Sequence, residues 1–264
     1  SMLSRHNIRI KVMQSLYAYL QSEHDNTSIA EKEYLRAVDE SYRLYLLNML
    51  YLLKVADYSK TDFDIKSKKF VPTEEDKKVT LKLYESPVLT ALRENEGFQR
   101  LIKKEKLLPL IDTDLVRKLY QQFAKTEYYI SYLEMENTPI KEHQYCLVNL
   151  YKTMSEEEVY LDHLEDVSPT AEDDQSLVFG ALKRSVRILM DDPEFYKEQE
   201  TNEEFVHEFG KELLYKSIRN NDKLQELVAE KLKNWNEDRV AVLDMLLLKL
   251  GICEFLYFPS IPTK

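Results

Sequence analysis

The chain has 264 residues with only 4 glycines and 8 prolines, and its 37 Lys and Arg against 47 Asp and Glu give a formal net charge of -10. Glycine and proline form hairpin turns and mark strand ends, so this composition excludes a multistranded sheet and predicts long helices. A hydrophobic fraction of 44% with 32% charged residues indicates a chain with a core, too charged for a membrane protein. The acidic balance also excludes a protein that coats nucleic acid with its whole surface, because that mode needs a positive field.

The first predicted helix covers residues 3–21, where apolar side chains recur at every fourth position. Ile8, Val12 and Leu16 form this stripe, and Tyr19 lies beside it. We therefore expect the helix to pack this face against the rest of the chain.

The second predicted helix begins at a capping box formed by Ser28 and Glu31 and runs to about Tyr58. Its apolar face is continuous from 35 to 52. Residues 59–72 follow as a predicted surface loop, because their charges show no sustained helical period.

The remaining predicted helices, whose edges follow from proline and cap positions, cover 73–84, 87–105, 112–136, 140–164, 172–190, 205–219, 222–234 and 237–257. The pattern as a whole predicts the all-α class. In the last helix Leu247 and Ile252 are expected in the core. Asp244 and Glu254 are expected to be exposed or paired with a residue such as Arg239.

Charge is segregated at the start of the chain, where Arg5, Arg9 and Lys11 occur with no acidic residue before position 23. His6 adds a donor and Tyr17 adds a flat ring. Guanidinium groups bind phosphate in a bidentate manner, and tyrosine rings stack on unpaired bases. These residues therefore form a candidate RNA contact. A solvated helix start with tyrosines in the core is the competing interpretation.

No pattern typical of an enzyme or a metal site stands out. Glu158, Asp162 and His163 could ligate a metal or share a proton if helical, but a solvated acidic face is the favoured interpretation. Cys146 and Cys253 lie in apolar runs and are expected to be buried free thiols. Phosphate-binding glycine loops, nucleophile elbows and zinc spacings do not occur. We expect no catalysis, no cofactor and no metal.

The most apolar stretch, 240–258, is interrupted by Asp244, Lys249 and Glu254, which point to different sides of a helix. A lipid-facing span would not tolerate charges placed in this way. With no signal peptide at the start, the protein is predicted to be cytoplasmic.

The two ends of the chain resemble the NusB transcription antitermination factors. The run Arg5–Tyr19 is similar to the opening helix of that family, in which an arginine-rich start leads into a Val-Gln-Ala-Leu-Tyr-like motif. Phe209-Gly210-Lys211-Glu212-Leu213-Leu214 is similar to the family's aromatic-x-x-Glu-Leu-Leu motif. Matching positions then follow in order: Trp235, Arg239, Asp244, Leu248, Lys249, Glu254 and the closing Ile261-Pro262-Thr263-Lys264.

The resemblance implies a NusB-like helical bundle with a long helical insertion. Residues 1–22 would be its basic N-terminal helix, 203–264 its helical core, and 23–202 the insertion. The family continues past its Pro-x-Lys with two further helices, whereas this chain stops at Lys264. Part of the family's RNA surface is therefore expected to be missing from it.

The resemblance also implies a function without catalysis. Members bind the boxA element of single-stranded RNA together with the ribosomal protein NusE and other Nus factors, and support ribosomal RNA transcription. By position, Arg5 and Arg9 match family arginines, Tyr17 matches the tyrosine beside the RNA, and Asp244 matches an acidic position facing the RNA. His6 stands where many members have another arginine.

Three alternatives stay open. The chain could be a helical protein-interaction scaffold that uses a NusB-like core without RNA. It could form a homodimer through the apolar faces of its insertion helices, such as that of 35–53. It could also resemble the NusB-like domains fused to cytosine methyltransferases, although no cofactor-binding glycine-rich segment follows here.

Overall fold

The computed structural model describes residues 1–22, 26–231 and 242–258, and the side chains at all of these positions except 228–231 and 242–245. Its α-helices, in chain order, are α1 (Arg5–Gln21), α2 (Thr27–Ser67), α3 (Glu74–Lys78), α4 (Pro87–Arg93), α5 (Glu96–Lys104), α6 (Thr113–Ala124), α7 (Glu127–Glu134), α8 (Ile140–Ser155), α9 (Glu158–Val167), α10 (Ala171–Ile188), α11 (Glu212–Arg219), α12 (Asn221–Lys231) and α13 (Val242–Tyr257). A π-helix, Glu204–Lys211, leads directly into α11, and short 3-10 helices cover Leu108–Leu110 and Phe195–Gln199. No strand occurs within the described ranges, so the all-α prediction is confirmed.

Helix α1 buries the stripe that its sequence predicts. Ile8, Val12 and Leu16 are all 0% exposed. Ser4 caps the start of the helix, because its side chain accepts a hydrogen bond from the backbone N–H of Asn7. The first turn holds no acidic residue, so the positive end of the helix dipole is not offset within the helix itself.

The capping box predicted at the start of α2 is wrong. Asn26 takes the capping role, since its Oδ1 accepts from the backbone N–H of Ser28 at 3.0 Å and from the Ser28 hydroxyl at 2.7 Å. The carboxylate of Glu31 instead pairs with Lys211 at 2.9 Å and accepts a hydrogen bond from the Tyr215 hydroxyl. Glu31 therefore pairs with residues distant in sequence instead of capping the start of α2.

Helix α2 continues to Ser67, so most of the loop predicted over 59–72 is wrong. The charges that show no helical period are paired along the helix surface instead. Lys60 lies 3.0 Å from Asp64, and Lys66 lies 3.1 Å from Asp62, each at the i,i+4 spacing. Such pairs stabilise an exposed helix without an apolar stripe, which explains why a hydrophobic pattern does not detect this segment.

Several long helices predicted in the middle of the chain are divided. Asn95 caps α5, because its Oδ1 accepts a backbone N–H three residues on at 2.8 Å, and Thr126 caps α7 with a 3.3 Å bond of the same kind. The extended backbone of Glu157 separates α8 from α9. The helix predicted over 73–84 is limited to α3. New helices therefore begin after polar capping residues, within segments whose apolar pattern predicts one continuous helix.

The chain divides into two compact units, Ser1–Asp39 with Glu200–Lys264, and Glu40–Gln199. In the first unit, α1, the π-helix, α11 and α13 pack on one another, and α12 packs on α11 and α13. In the second unit, α8 packs on α4, α6, α7, α9 and α10. Helix α2 contributes residues to both units.

Within the second unit, α2 is buried on all sides from Leu44 to Ala56, where every apolar side chain is 7% exposed or less. A helix that is apolar all round belongs inside a core. The continuous apolar face predicted for α2 is confirmed here. These side chains are consequently unavailable as the dimer surface considered for 35–53.

A line of polar side chains interrupts this apolar helix. We call it the polar seam, and it consists of Ser41, Tyr45, Asn48 and Tyr51. Asn48 Oδ1 accepts hydrogen bonds from the hydroxyls of Tyr151 at 2.9 Å and Tyr160 at 2.6 Å. The Ser41 hydroxyl donates to Asp174 at 2.6 Å. These bonds join α2 to α8, α9 and α10 inside the core.

Both cysteines are buried free thiols, as predicted, and burial raises the pKa of each. In α13 the expected core placement of Leu247 is wrong, because this side chain is 48% exposed. Ile252 is only partly buried. The buried face of α13 is instead formed by Leu246, Leu250 and Cys253.

Candidate nucleic-acid interface

The candidate site begins at the first turn of α1, where two arginines one helical turn apart meet the π-helix. The guanidinium carbon of Arg5 lies 4.8 Å from the ring centroid of Phe209 and 5.7 Å from that of Phe205. The guanidinium carbon of Arg9 lies 5.4 Å from the same Phe209 ring. Cations are attracted to ring faces at these distances, so Phe209 holds both guanidinium groups at one edge of α1.

The two arginines differ in their hydrogen bonding. The Nε of Arg5 is buried and has no hydrogen-bond partner among the described residues. The Nε of Arg9 donates to Glu254 Oε1 of α13 at 2.7 Å, and these side chains are 30% and 12% exposed. No carboxylate among the described residues forms a salt bridge with Arg5, whereas Arg9 is paired with Glu254. Arg5 is therefore the guanidinium of the two that an anion can approach without displacing a carboxylate.

The other predicted residues of α1 fall on different faces. His6 is exposed, and Tyr17 is 39% exposed. They share the outer face of α1 with the half-buried Ile10 and Met13, at spacings of three and four residues. Lys11 lies on the opposite side and is only 2% exposed. The structure thus brings Arg5 and Arg9 together, sets His6 and Tyr17 beside them, and buries Lys11.

Two family-matched positions of α13 complete the description. Asp244 lies on α13 in the stretch whose side chains the structure does not describe. Lys249 is 7% exposed and donates to Asn221 at 3.0 Å, and burial lowers its pKa. Trp235, Arg239 and the closing residues 261–264 lie outside the described residues.

Sequence reasoning assigned no role to the rings of Phe205 and Phe209. Their spacing of four residues places both rings on one side of a helix. The sequence alone shows this spacing. Glu254 was expected to be exposed or paired, and it pairs with Arg9, whereas Arg239 lies outside the described residues. Nothing local predicts that pair, because 245 positions separate its members.

The residues considered as a metal site, Glu158, Asp162 and His163, do not form a set of metal ligands. His163 Nε2 lies 2.6 Å from the Tyr51 hydroxyl and 3.1 Å from the Leu110 carbonyl oxygen, so its ring forms part of the packing. Burial raises the pKa of Tyr51 to about 12. Among the residues that could be searched, no group of three His, Cys, Asp or Glu side chains is suited to a metal ion.

Within the part of the chain that the structure describes, none of the helices combines the length and the apolar character that crossing a membrane requires.

Comparison with known proteins shows that part of this chain is similar to one family. Residues 154–264 match the model of the NusB family. The transcription antitermination protein NusB of Finegoldia magna is 38% identical over 71 residues, which cover 27% of this chain and 51% of that protein. The NusB of Bacillus pumilus is 34% identical over 56 residues, covering 21% of this chain and 43% of that protein.

A third relative, the NusB of Rickettsia bellii, is 46% identical over 46 residues, which cover 17% of this chain and 30% of that protein. The chain therefore spans about half or less of the length of the curated relatives it matches. No solved structure matches the chain significantly. The family resemblance of the sequence is nonetheless confirmed, since residues 154–264 match the NusB family model and the curated relatives are NusB proteins.

Proposed function

We propose that this chain is a cytoplasmic transcription antitermination adaptor that binds boxA-type single-stranded RNA through the start of α1. It acts together with the ribosomal protein NusE and other Nus factors and has no catalytic activity. The observation that carries the proposal is the pair of guanidinium groups held on the Phe209 ring at the start of α1. The names of the curated relatives support the same role.

The candidate residues of α1 would make different kinds of contact with RNA. Arg5 and Arg9 offer planar donors to phosphate oxygens, which they can bind in a bidentate manner. Tyr17 offers an exposed ring on which an unpaired base can stack. Lys11 is buried and supports the helix rather than the RNA contact. His6 adds a donor on the outer face of α1.

Binding of RNA by the chain alone should be weak. Few phosphates can be neutralised by two arginines, and the whole chain carries a net charge of -10. Arg9 must also exchange its contact with Glu254 for a phosphate. A second protein that adds contacts to the same RNA would supply the missing affinity, which is the role we assign to NusE.

We also propose that residues 23–202 are an insertion in a NusB-like bundle built from 1–22 and 203–264. The division into compact units, 1–39 with 200–264 and 40–199, supports this proposal. The family match begins at residue 154, so it supports the insertion only up to residue 153 and counts against assigning 154–202 to it.

The test replaces both arginines in the complete chain, as Arg5→Gln with Arg9→Gln. Binding of a fluorescent boxA-like RNA is measured by anisotropy at two salt concentrations, with and without purified NusE. We expect a loss of about tenfold or more, because each charge-assisted phosphate contact contributes about 1.5–3 kcal/mol. The control is Lys32→Gln with Arg36→Gln, two exposed cations of α2 that carry the same charge.

Circular dichroism and thermal unfolding establish that each variant keeps its fold. A folded double-arginine variant that binds boxA RNA as tightly as the parent chain would rule out this function.

A protein-interaction scaffold that does not bind RNA is the second candidate function. It is favoured by α13, which exposes Leu247 at 48%, Leu248 at 42% and Phe255 at 72%. Exposed apolar side chains on one helix are typical of a protein contact. Binding to NusE that survives nuclease treatment and is lost in Phe255→Ser, with no measurable RNA binding by the parent, would favour the scaffold.

A further inference from the structure

The segment 65–71, which comprises the end of α2 and the first part of the connection to α3, exposes three apolar side chains. We call it the basic turn. Phe70 is 102% exposed, Val71 is 80% exposed and Ile65 is 53% exposed. A phenylalanine without any covering contact has no role in the core, so its surface is available to a partner.

Hydrogen bonds fix the backbone on both sides of this ring. The backbone N–H of Lys68 donates to the Ile65 carbonyl at 3.3 Å, and that of Lys69 donates to the Lys66 carbonyl at 3.4 Å. Beyond the ring, Thr73 and Asp76 form a capping box at the start of α3. Phe70 is thus held outward by a short ordered turn.

The same turn is anchored through a lysine. Lys69 Nζ lies 3.2 Å from both carboxylate oxygens of Asp76, whose pKa is lowered first by the backbone N–H of Thr73. This contact links Lys69, which precedes Phe70, to Asp76, which follows it. A ring presented in this way loses little conformational entropy when a partner binds it.

The charge of the basic turn is opposite to that of the chain. Residues 65–71 contain three lysines and no acidic residue, and 65–82 contain six lysines against three acidic residues, in a chain of net charge -10. Lys66 and Lys69 pair with carboxylates, whereas Lys68 is exposed and makes no salt bridge among the described residues. Positive charge around an exposed ring is complementary to a polyanion with flat, unpaired bases.

We propose that the basic turn binds single-stranded RNA, with one base stacked on Phe70 and adjacent phosphates neutralised by Lys68 and its neighbouring lysines. Stacking platforms of this kind need an exposed aromatic ring and nearby cations rather than a deep pocket. The proposal places a second RNA contact in the second unit and outside the family-matched residues 154–264. It rests on the proposed function for the identity of the ligand as RNA.

The experiment uses the complete chain and a fluorescein-labelled oligouridine of about 12 nucleotides, within the site sizes of single-strand binders. Anisotropy is measured for Phe70→Ala, Phe70→Leu and Phe70→Trp. We expect a loss of about tenfold for both Ala and Leu, and retained affinity for Trp, because stacking requires an aromatic face. Leu108→Ala, an exposed apolar side chain of the same unit, is the control and should have no effect.

The charge contribution is tested with Lys68→Gln. The slope of log affinity against log salt should become shallower by about 0.7, the value for one phosphate contact on a single strand. Lys103→Gln removes an equally exposed lysine on α5 and should leave the slope unchanged.

Phe70→Trp adds a direct probe of stacking. The parent chain has one tryptophan, Trp235, so the fluorescence that appears in this variant comes from position 70. We expect RNA to quench that added fluorescence, because the base lies on the ring.

Parent-like affinity in both Phe70→Ala and Phe70→Leu overturns the proposal. Loss in Ala with full retention in Leu also overturns it, since a contact that needs only apolar volume indicates a pocket on a protein partner. The two proposals fail separately. Parent-like affinity of the Phe70 variants for oligouridine excludes the basic-turn contact alone, whereas parent-like affinity of the double-arginine variant for boxA RNA excludes the α1 contact alone.

Discussion

At the scale of single residues, Arg9 shows how an RNA contact and a structural contact compete for the same side chain. Its guanidinium lies on Phe209 and donates to Glu254, which comes from α13. The ion pair links α1 to α13 within the first unit. Any phosphate that binds Arg9 must therefore displace or share this carboxylate.

We predict that Glu254→Gln binds boxA-like RNA about threefold more tightly, because a partly exposed ion pair that is lost on binding contributes at most about 1 kcal/mol. Fluorescence anisotropy with a fixed RNA measures the change. Glu208→Gln removes the same charge from an exposed position of the π-helix and serves as the control. Equal affinities of the two variants would show that Glu254 does not compete with RNA.

Glu31 gives a prediction about pH. The Tyr215 hydroxyl and then the Lys211 ammonium hold the pKa of Glu31 below its ordinary value of 4.5. A carboxylate with a lowered pKa in the folded state adds stability above its ordinary pKa, and that stability is lost as the pH falls through the lowered value. Glu31→Gln should therefore unfold at lower urea than the parent at pH 7.

The difference between Glu31→Gln and the parent should shrink as the pH falls through the lowered pKa of Glu31, because the parent carboxylate loses its charge there. Urea midpoints over a series of pH values from 7 downward are the measurement. Glu33→Gln, whose carboxylate is 58% exposed and 3.8 Å from Arg36, should match the parent throughout. A difference that does not change with pH would show that the charge of Glu31 is not the cause.

The sequence predicted some site residues and not others, for a reason visible in α1. Counting cations treats Arg5, Arg9 and Lys11 alike, but a helix turns about 100° per residue. Lys11 follows Ile8 by three positions and precedes Ser15 by four, and all three are buried. Applying the helical period to the charged residues would have separated Lys11 from the arginines.

At the scale of elements, the sequence predicted which segments are helical better than where the helices end. The period of Ile8, Val12 and Leu16 predicts α1 to within two residues at its start. The end of α2 depends on ion pairs such as Lys60 with Asp64, which leave no apolar signal. The divisions at Asn95 and Thr126 follow from side-chain caps that are common outside helix starts as well.

Two glycines on neighbouring elements of the first unit give opposite predictions. A Cβ on Gly210 of the π-helix would lie 2.5 Å from Ile8 Cγ2 and closer still to the Tyr34 hydroxyl. That hydroxyl donates to the Val206 carbonyl at 2.8 Å. We expect Gly210→Ala to lower the free energy of unfolding by about 2 kcal/mol, as overpacked cores do.

Gly251→Ala is the matched variant on α13, where an added Cβ meets no atom within 4 Å. Glycine inside an exposed helix costs about 0.5–1 kcal/mol relative to alanine, so this variant should be more stable than the parent by that amount. Chemical denaturation of both variants measures the two values. A stabilised Gly210→Ala would contradict the close packing of the π-helix on α1 and α2.

At the scale of the whole molecule, the excess of acidic residues limits how RNA can be bound. Arg5 and Arg9 present cationic groups at one edge of an acidic chain. We predict a slope of log affinity against log salt of about -1.4 for a boxA-like RNA that reaches only α1, which corresponds to two phosphate contacts. Anisotropy titrations over a series of salt concentrations provide the slope.

A slope steeper than about -4 with this short RNA would require more cations than α1 provides, and would contradict a contact limited to two arginines. Replacing Lys68 should leave the slope for this short RNA unchanged, because the basic turn is not part of the α1 contact.

The polar seam of α2 has a consequence for how the second unit reaches a single arrangement. A helix surrounded only by aliphatic side chains could slide along its axis by one turn, about 5.4 Å, and regain most of its contacts. Here such a slide would replace Asn48 with Leu44 or Leu52 opposite the hydroxyls of Tyr151 and Tyr160, leaving both without an acceptor. The polar seam therefore specifies one axial register for α2. A helix with apolar residues at these positions could pack in more than one register.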